Sequence, residues 1–307
     1  MPPVAFFGPA GTFAEEALLT QDDLAARERV AIVGVPDVIA AVESGQCEIG
    51  FIPIENSIEG SVSVTIDTLA FESDLLIQRE VDLPISMGLF AKPGTKIADI
   101  KHVLSFPIAA AQCRAFLRKR LPAATFVAAN STADAAATVA RSKRHDQAAI
   151  GNPLAAEIHG LDVLAREIAD HPENQTRFVV VGHGIPARTG HDKTTVVCFQ
   201  RTDTPGSLLA MLQEFSARAI NLTKLESRPT KKSLGDYCFV MDFEGHITDE
   251  VVTDCLRTLA AKVAHVKFLG SYPVAGLDGP AKRTAATKAW RDADRWVGEL
   301  RDRVRDE

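Results

Sequence analysis

The sequence predicts an α/β chain in two parts, a strand–helix alternation followed by a smaller βαββαβ unit. Three observations carry this. Up to about residue 184, short apolar runs alternate with helical patterns, the signature of parallel α/β architecture. The Gly-rich polar stretch GHGIPARTGHDKT (182–194) then breaks the texture and reads as a linker. Beyond it, elements in the order βαββαβ reproduce the ferredoxin-like pattern.

In the first part the strands are VAFF (4–7), VAIVGV (30–35), EIGFIPI (48–54), HVLSF (102–106), TFVAA (125–129), AAIG (148–151) and RFVVVG (177–182). Each is a short apolar run of the kind a sheet covered on both faces requires. Between them lie the helical patterns DVIAAVESG (37–45), AAAQCRAFLRKRL (109–121) and STADAAATVARSK (131–143), the last with Ser131 as its N-cap. After the linker, TTVVCFQR (194–201) is a strand and PGSLLAMLQEFSARA (205–219) a helix with Leu208, Leu212, Phe215 and Ala219 on one face. NLTKLESR (221–228) and GDYCFVMDF (235–243) alternate with period two, as paired strands do. TDEVVTDCLRTLAAKVA (248–264) aligns Val251, Cys255, Leu259 and Val263 on a second helix, and HVKFLGSY (265–272) closes the set. In the charged tail from 276 to 307, Ala289, Ala293, Trp296, Leu300 and Val304 form a helical stripe suited to docking on its own domain or on a partner subunit.

Composition narrows the function classes. The chain has 307 residues, 46% hydrophobic and 24% charged, with a net charge of −6 and a pI near 5.8. Such a balance offers no bulk attraction for nucleic acid or an anionic membrane. Five cysteines without a CxxC, no basic leader and no apolar run of membrane length point to the cytoplasm. The histidines show no HExxH or HxxxH spacing, and neither GxGxxG after a strand nor GxxxxGK[ST] occurs, so neither a metal nor a nucleotide cofactor is expected.

Four stretches share one grammar, an apolar strand followed by small polar residues where a helix opens. GPAGTFAEEA (8–17) sets Thr12 near a helix start; PIENSIEGSV (53–62) puts Asn56 and Ser57 at a turn; STADAA (131–136) carries Thr132; FPIAAAQC (106–113) places Gln112 one turn into its helix. Helix N-termini carry unpaired N–H groups and positive partial charge, so four of them suggest a cleft for a small anion. A fifth element, ENQTRF (173–178), stations Thr176 and Arg177 at a strand mouth.

GPAGTF, PIENSxxGxV, STAxAA and NxTRF, in this order, resemble the catalytic domain of prephenate dehydratases. PGSLLAMLQEFSARAINLTKLESRP (205–229), YCFVMDFEGH (237–246) and VKFLGSYP (266–273) resemble the ACT domain attached to that enzyme. The resemblance implies a two-lobed, periplasmic-binding-protein-like catalytic domain over 1–184, with lobes of 1–80 plus 165–184 and of 81–164. It also implies an ACT regulatory domain over 194–275, dimers or tetramers, and inhibition by L-phenylalanine at a subunit interface. One departure stands out. The family's usual His and Gln around the proline before Gln112 are Phe106 and Ile108 here.

Under that resemblance the substrate is prephenate, a dianion that loses carbon dioxide and water to give phenylpyruvate, and aromatisation removes the need for a cofactor. Arg177, with its planar fork, is expected to bind a carboxylate. Thr12, Asn56, Ser57, Gln112 and Thr132 complete the substrate contacts, and Phe178 packs the cleft floor. Thr176 is expected at the leaving hydroxyl as a hydrogen-bond donor. Glu55 is either the acid, if burial raises its pKa, or the partner of a basic side chain or a backbone N–H. In the regulatory half, Gly206, Ser207, Leu208 and Leu209 on one side and Asn221, Leu222, Glu226, Ser227 and Arg228 on the other are expected to enclose phenylalanine, with Asn221 opposite Gly206. Arogenate, the amino analogue, is an alternative substrate, and a non-catalytic two-lobe anion sensor an alternative class.

Overall fold

The computed structural model describes residues 1–200, 204–231 and 236–275, with isolated positions in the tail at 292, 295–297, 299, 300 and 302. By contacts these fall into two units, one of Met1–Thr68 and Val81–Gly182, the other of Leu69–Glu80 and the chain from His183 onward.

In the first unit, β1 (Val4–Phe7), β2 (Arg29–Ile32) and β3 (Ile49–Asn56) lie parallel with β1 in the middle. The helices between them are α1 (Phe13–Leu19), α2 (Asp22–Ala25) and α3 (Val35–Glu43). Thr12 caps α1: its hydroxyl accepts from the Glu15 N–H, while the Glu15 carboxylate accepts from the Gly11 N–H at 2.7 Å, a reciprocal cap. The short β4 (Gly60–Ser61) folds back on β3, and α4 (Ser63–Phe71) and β5 (Leu76–Pro84) follow. The chain then builds a second sheet. β6 (Gly88–Ala91), β7 (His102–Ser105), β8 (Thr125–Ala128), β9 (Gln147–Gly151) and β10 (Asp162–Ala165) stand in the order β10-β6-β9-β7-β8. Helices α5 (Pro107–Ala111), α6 (Arg114–Arg120), α7 (Thr132–Arg141) and α8 (Pro153–Ile158) connect them. Finally β11 (Gln175–Gly182) returns to the first sheet, whose order is β2-β1-β3-β11-β5 with β4 on β3.

Both sheets are mixed, not purely parallel. β11 runs antiparallel to β3, and β6 and β10 are antiparallel to their neighbours. These reversals come where the chain leaves one sheet for the other. They are also where sequence patterning is weakest: β5 reads LIQREVDLP and β10 only DVLA, too charged or too short to stand out. Where one long helix is expected over 109–121, the structure has α5 and α6 with Gln112 and Cys113 between them. One core runs through both sheets, joining Phe6, Phe51 and Phe178 to Leu89, Val103 and Ile150.

The second unit is a four-stranded antiparallel sheet, β13-β14-β12-β15, with two helices. Its elements are β12 (Asp192–Phe199), α9 (Ser207–Ser216), β13 (Leu222–Pro229), β14 (Tyr237–Glu244), α10 (Glu250–Lys262) and β15 (His265–Pro273), the expected βαββαβ order. Met211 and Phe215 of α9 meet Val252, Cys255 and Leu259 of α10 over the inner face of the sheet.

The segment 69–80, expected in the first lobe, groups with this unit instead. Glu80 accepts from Lys193 Nζ at 3.1 and 2.9 Å and from the Ala275 N–H at 3.0 Å. At Gly270, whose φ is +144°, a Cβ would stand 2.5 Å from the Ile77 carbonyl oxygen. Only glycine lets the two backbones approach so closely. Of the tail stripe, Ala289, Ala293 and Val304 lie outside the described residues; Trp296 and Leu300 are exposed.

Candidate active site

The register of β11 on β3 organises the site. Thr176 stands opposite Asn56 and Arg177 opposite Glu55; the ladder then slips, so that Phe178 faces Pro53. Ile54 is the extra residue of this bulge, a device that re-aims side chains beside functional sites. Successive strand residues face opposite sides. The Thr176 hydroxyl accordingly meets Asn56 (2.9 Å), while the Arg177 guanidinium meets the Glu55 carboxylate (3.2 Å) on the other side. Thr176 shares its face with Phe178, which is buried and stacked on Phe51 with ring centroids 5.4 Å apart. Thr176 and Arg177, expected to address one guest together, thus have cross-strand partners on opposite faces of the strand. In this contact the Glu55 carboxylate partners the Arg177 guanidinium.

Around Thr176 the structure gathers a chain of amides. Asn56 Nδ2 donates to Thr176 Oγ1 (2.9 Å), Asn174 Oδ1 (2.9 Å) and the Gln175 carbonyl (3.2 Å). Asn56 Oδ1 accepts from the N–H groups of Ile58 and Glu59, both at 3.0 Å, which fixes its turn. Ser57 Oγ donates to Asn174 Oδ1 (3.2 Å) and accepts from the Gln175 N–H (3.0 Å). Asn174 Nδ2 donates to Gln112 Oε1 (3.1 Å), and Gln112 Nε2 donates to Glu59 Oε1 (2.9 Å). Asn56, Ser57, Gln112 and Thr176 are thus brought together, with Gln112 arriving from the second sheet as the C-cap of α5. Asn174 and Glu59 were not singled out in the sequence. The available signal was the asparagine that opens NQTRF.

Thr12 and Thr132 each stand where a helix begins. Thr12 Oγ1 donates to the Phe7 carbonyl (3.1 Å), and Thr132 opens α7 behind its cap Ser131 and packs on Gly151. Phe106 and Ile108, which replace the family's polar residues, are 40% and 44% exposed at the start of α5. Next to Gln112, burial pushes the Cys113 thiol up to about 12, with Asp170 adding to it, so this sulfur stays protonated. Glu16 on α1 accepts from Asn152 Nδ2 at 2.7 Å. Burial raises its pKa above the ordinary value of 4.5, and the asparagine bond partly opposes the shift.

In the second unit a cavity of about 480 Å³ is lined by Gly206, Ser207, Leu208, Leu209 and Ser227, all expected at the effector site. Gln200, Thr204, Leu212, Tyr237 and Phe239 complete it. Ser227 stands opposite Phe239 in the β13–β14 ladder, which brings strand and helix sides together. Asn221, Leu222, Glu226 and Arg228 do not line it. Helix α9 separates Asn221 from Gly206, and its ten residues span roughly 15 Å. Asn221 Nδ2 instead donates to Glu244 Oε1 (3.0 Å), and Arg228 pairs with Glu226 (2.8 Å).

A model of the prephenate dehydratase family matches residues 4–185, and one of the ACT domain matches residues 194–261. A prephenate dehydratase of Mycolicibacterium gilvum is 40% identical over 314 residues, covering 98% of this chain and 99% of the relative. Among solved structures, a prephenate dehydratase of Arthrobacter aurescens in complex with L-Phe is similar with a TM-score of 0.89 and 39% identity, covering 98% and 99% of the two chains. The structure of GqqA, described as a novel type of quorum quenching acylase, is similar with a TM-score of 0.80 and 28% identity, covering 89% of this chain and 98% of that one.

Proposed function

Because this chain belongs to the prephenate dehydratase family, we infer that it converts prephenate to phenylpyruvate and is inhibited by L-phenylalanine through its ACT domain. The observation that carries the assignment is the full-length match together with the convergence of Asn56, Gln112 and Thr176, three motif residues distant in sequence, on one hydrogen-bonded group.

The chemistry is an elimination. Prephenate loses its ring carboxylate as carbon dioxide and its 4-hydroxyl as water, one proton is consumed, and the electron pair of the broken C–C bond enters the new aromatic ring. Hydroxide is a poor leaving group, so a donor at that oxygen is the main demand on the protein. Thr176 Oγ1 accepts from Asn56 Nδ2, and a hydroxyl that accepts in this way keeps its own O–H for another acceptor. That O–H is the donor we assign to the leaving oxygen. Thr12 and Thr132, with the backbone N–H groups beside them, are assigned to the carboxylates, with Ser57 and Gln112 completing the contacts. Arg177 is assigned to holding Glu55 and the strand end.

We assign the catalytic domain to residues 1–184 and the regulatory domain to 194–275, with 69–80 packing on the regulatory side. The 480 Å³ cavity suits a phenylalanine side chain between α9 and β14. Asn221 lies at the far end of α9 from Gly206, so a second copy of the chain is the source assigned for an Asn221 contact, which makes the working form a homo-oligomer. No helix among the described residues is long and apolar enough to cross a membrane, and a cytoplasmic location fits the reduced cysteines.

The likeness to an acylase points to amide hydrolysis, which needs an activated nucleophile. Here Thr176 is partnered by an amide, not a base, and the Cys113 thiol is held protonated. The deciding experiment measures phenylpyruvate release from prephenate with and without phenylalanine, with arogenate in parallel. Turnover of prephenate that phenylalanine suppresses supports the assignment. Preference for arogenate moves it to the amino analogue, and binding of prephenate without turnover leaves a sensor.

A further inference from the structure

We propose that Asn174, with Glu59 and Gln112, forms a polarised relay that orients the Asn56 amide and through it the Thr176 hydroxyl, making Asn174 a positioning residue for the reaction. The inference rests on the assignment of Thr176 above.

The relay has a direction because its ends are unambiguous. A carboxylate only accepts, so Glu59 can take the Gln112 contact only from Nε2 (2.9 Å). That leaves Gln112 Oε1 toward Asn174, which must present its N–H (3.1 Å). Asn174 Oδ1 is then turned toward Asn56, which must present Nδ2 (2.9 Å). Backbone N–H groups of Ile58 and Glu59 independently hold Asn56 Oδ1, so the same amide orientation is demanded from both ends. The outcome is an N–H aimed at Thr176 Oγ1 and a threonine hydrogen directed away from Asn56.

Asn174 is the joint of this chain. It is 1% exposed, and its side-chain oxygen also accepts from Ser57 Oγ. Its backbone is held by donation to the His171 carbonyl (3.2 Å) and by acceptance from the Ile85 N–H (2.8 Å). A buried amide this thoroughly bonded has one rotamer and one flip state. Glu59, by contrast, is exposed, so the relay starts at the surface and ends at the reacting hydroxyl.

The test is steady-state kinetics on full-length Asn174→Ala and Glu59→Gln with prephenate as substrate. Misplacing a catalytic group by about an ångström costs up to roughly a hundredfold. We expect kcat to fall about tenfold or more in Asn174→Ala, with KM changed less than threefold. Glu59→Gln, at a solvated position, leaves folding intact but lets Gln112 flip, and kcat falls a few-fold. Both act through one chain, so the double variant is no slower than Asn174→Ala. A raised KM with unchanged kcat, or effects that multiply, overturns the relay. If the wild-type protein itself releases no phenylpyruvate, the assignment of function fails instead. The relay is then read from a crystal structure of Asn174→Ala, where an Asn56 amide still 2.9 Å from Thr176 Oγ1 refutes it.

Discussion

Replacing Thr176 with valine separates catalysis from folding, because the hydroxyl contributes little to the second. Valine keeps the β-branched shape that suits a strand and removes one oxygen. In the folded protein that oxygen accepts one hydrogen bond, from Asn56 Nδ2 at 2.9 Å. Its loss does not orphan the amide, which retains Asn174 Oδ1 at 2.9 Å and the Gln175 carbonyl at 3.2 Å. The stability cost is therefore about 1 kcal/mol or less, a Tm change of roughly 2–4 °C. The kinetic cost is larger. A donor aimed at developing negative charge contributes about 3 kcal/mol, which is on the order of a hundredfold in kcat. Thr176→Ser, which keeps the hydroxyl, should recover most of that loss. The assay is phenylpyruvate release at saturating prephenate, with Tm measured on the same samples. A Thr176→Val protein with kcat within threefold of wild type and an unchanged Tm refutes the donor role.

Other outcomes follow from the same geometry. Arg177→Met should lower Tm while leaving KM for prephenate within about threefold, since the guanidinium sits with Glu55 on the face away from Thr176; a KM raised a hundredfold would restore a direct carboxylate contact. Phe178→Ala removes a buried ring stacked on Phe51 and should cost about 3–5 kcal/mol in denaturant unfolding, where a loss under 1 kcal/mol contradicts the packing. Glu16 has a raised folded pKa, so its contribution is fully present below the ordinary value of 4.5 and is lost as pH rises through the folded pKa. Glu16→Gln, which can still accept from Asn152, should therefore raise Tm at neutral pH, and the advantage should vanish below about pH 4.5. In the regulatory unit, Leu212→Trp should fill part of the 480 Å³ cavity and weaken phenylalanine inhibition without changing kcat in its absence; undiminished inhibition places the effector elsewhere.

How far the sequence could be read depended on whether a signal was local. β1, β3 and β11 are apolar runs buried on both faces, and α7 and α10 carry a clear helical period, so all were legible. β5 was not, because its alternation of Arg79, Glu80 and Asp82 with apolar residues is explained only by partners distant in the chain, such as Lys193 for Glu80. The break between α5 and α6 was invisible for a related reason. AAAQCRAFLRKRL has helical composition throughout, but Gln112 leaves the helix to take the Asn174 amide, with its backbone carbonyl accepting from the Asp170 N–H at 2.6 Å. A tertiary contact overrode a local propensity.

The pair at the mouth of β11 shows where reading function from residues needs the ladder as well. Chemistry groups Thr176 with Arg177, since a hydroxyl and a guanidinium suit an anion. Strand geometry sends them to opposite faces, and the register then assigns each a partner, Asn56 to one and Glu55 to the other. The cross-strand neighbours therefore say more than the sequence neighbours. Asn56 leads through Asn174 and Gln112 to the second sheet, so the threonine's surroundings come from both halves of the catalytic fold. Glu55 and Arg177 instead tie two strand ends of the same sheet. An enzyme built this way loses kcat along with stability when the amide chain is cut, and stability alone when the ion pair is cut. Measuring both quantities on Asn174→Ala and Arg177→Met therefore tests the division of labour directly: Tm should fall in both, but kcat should fall only in Asn174→Ala.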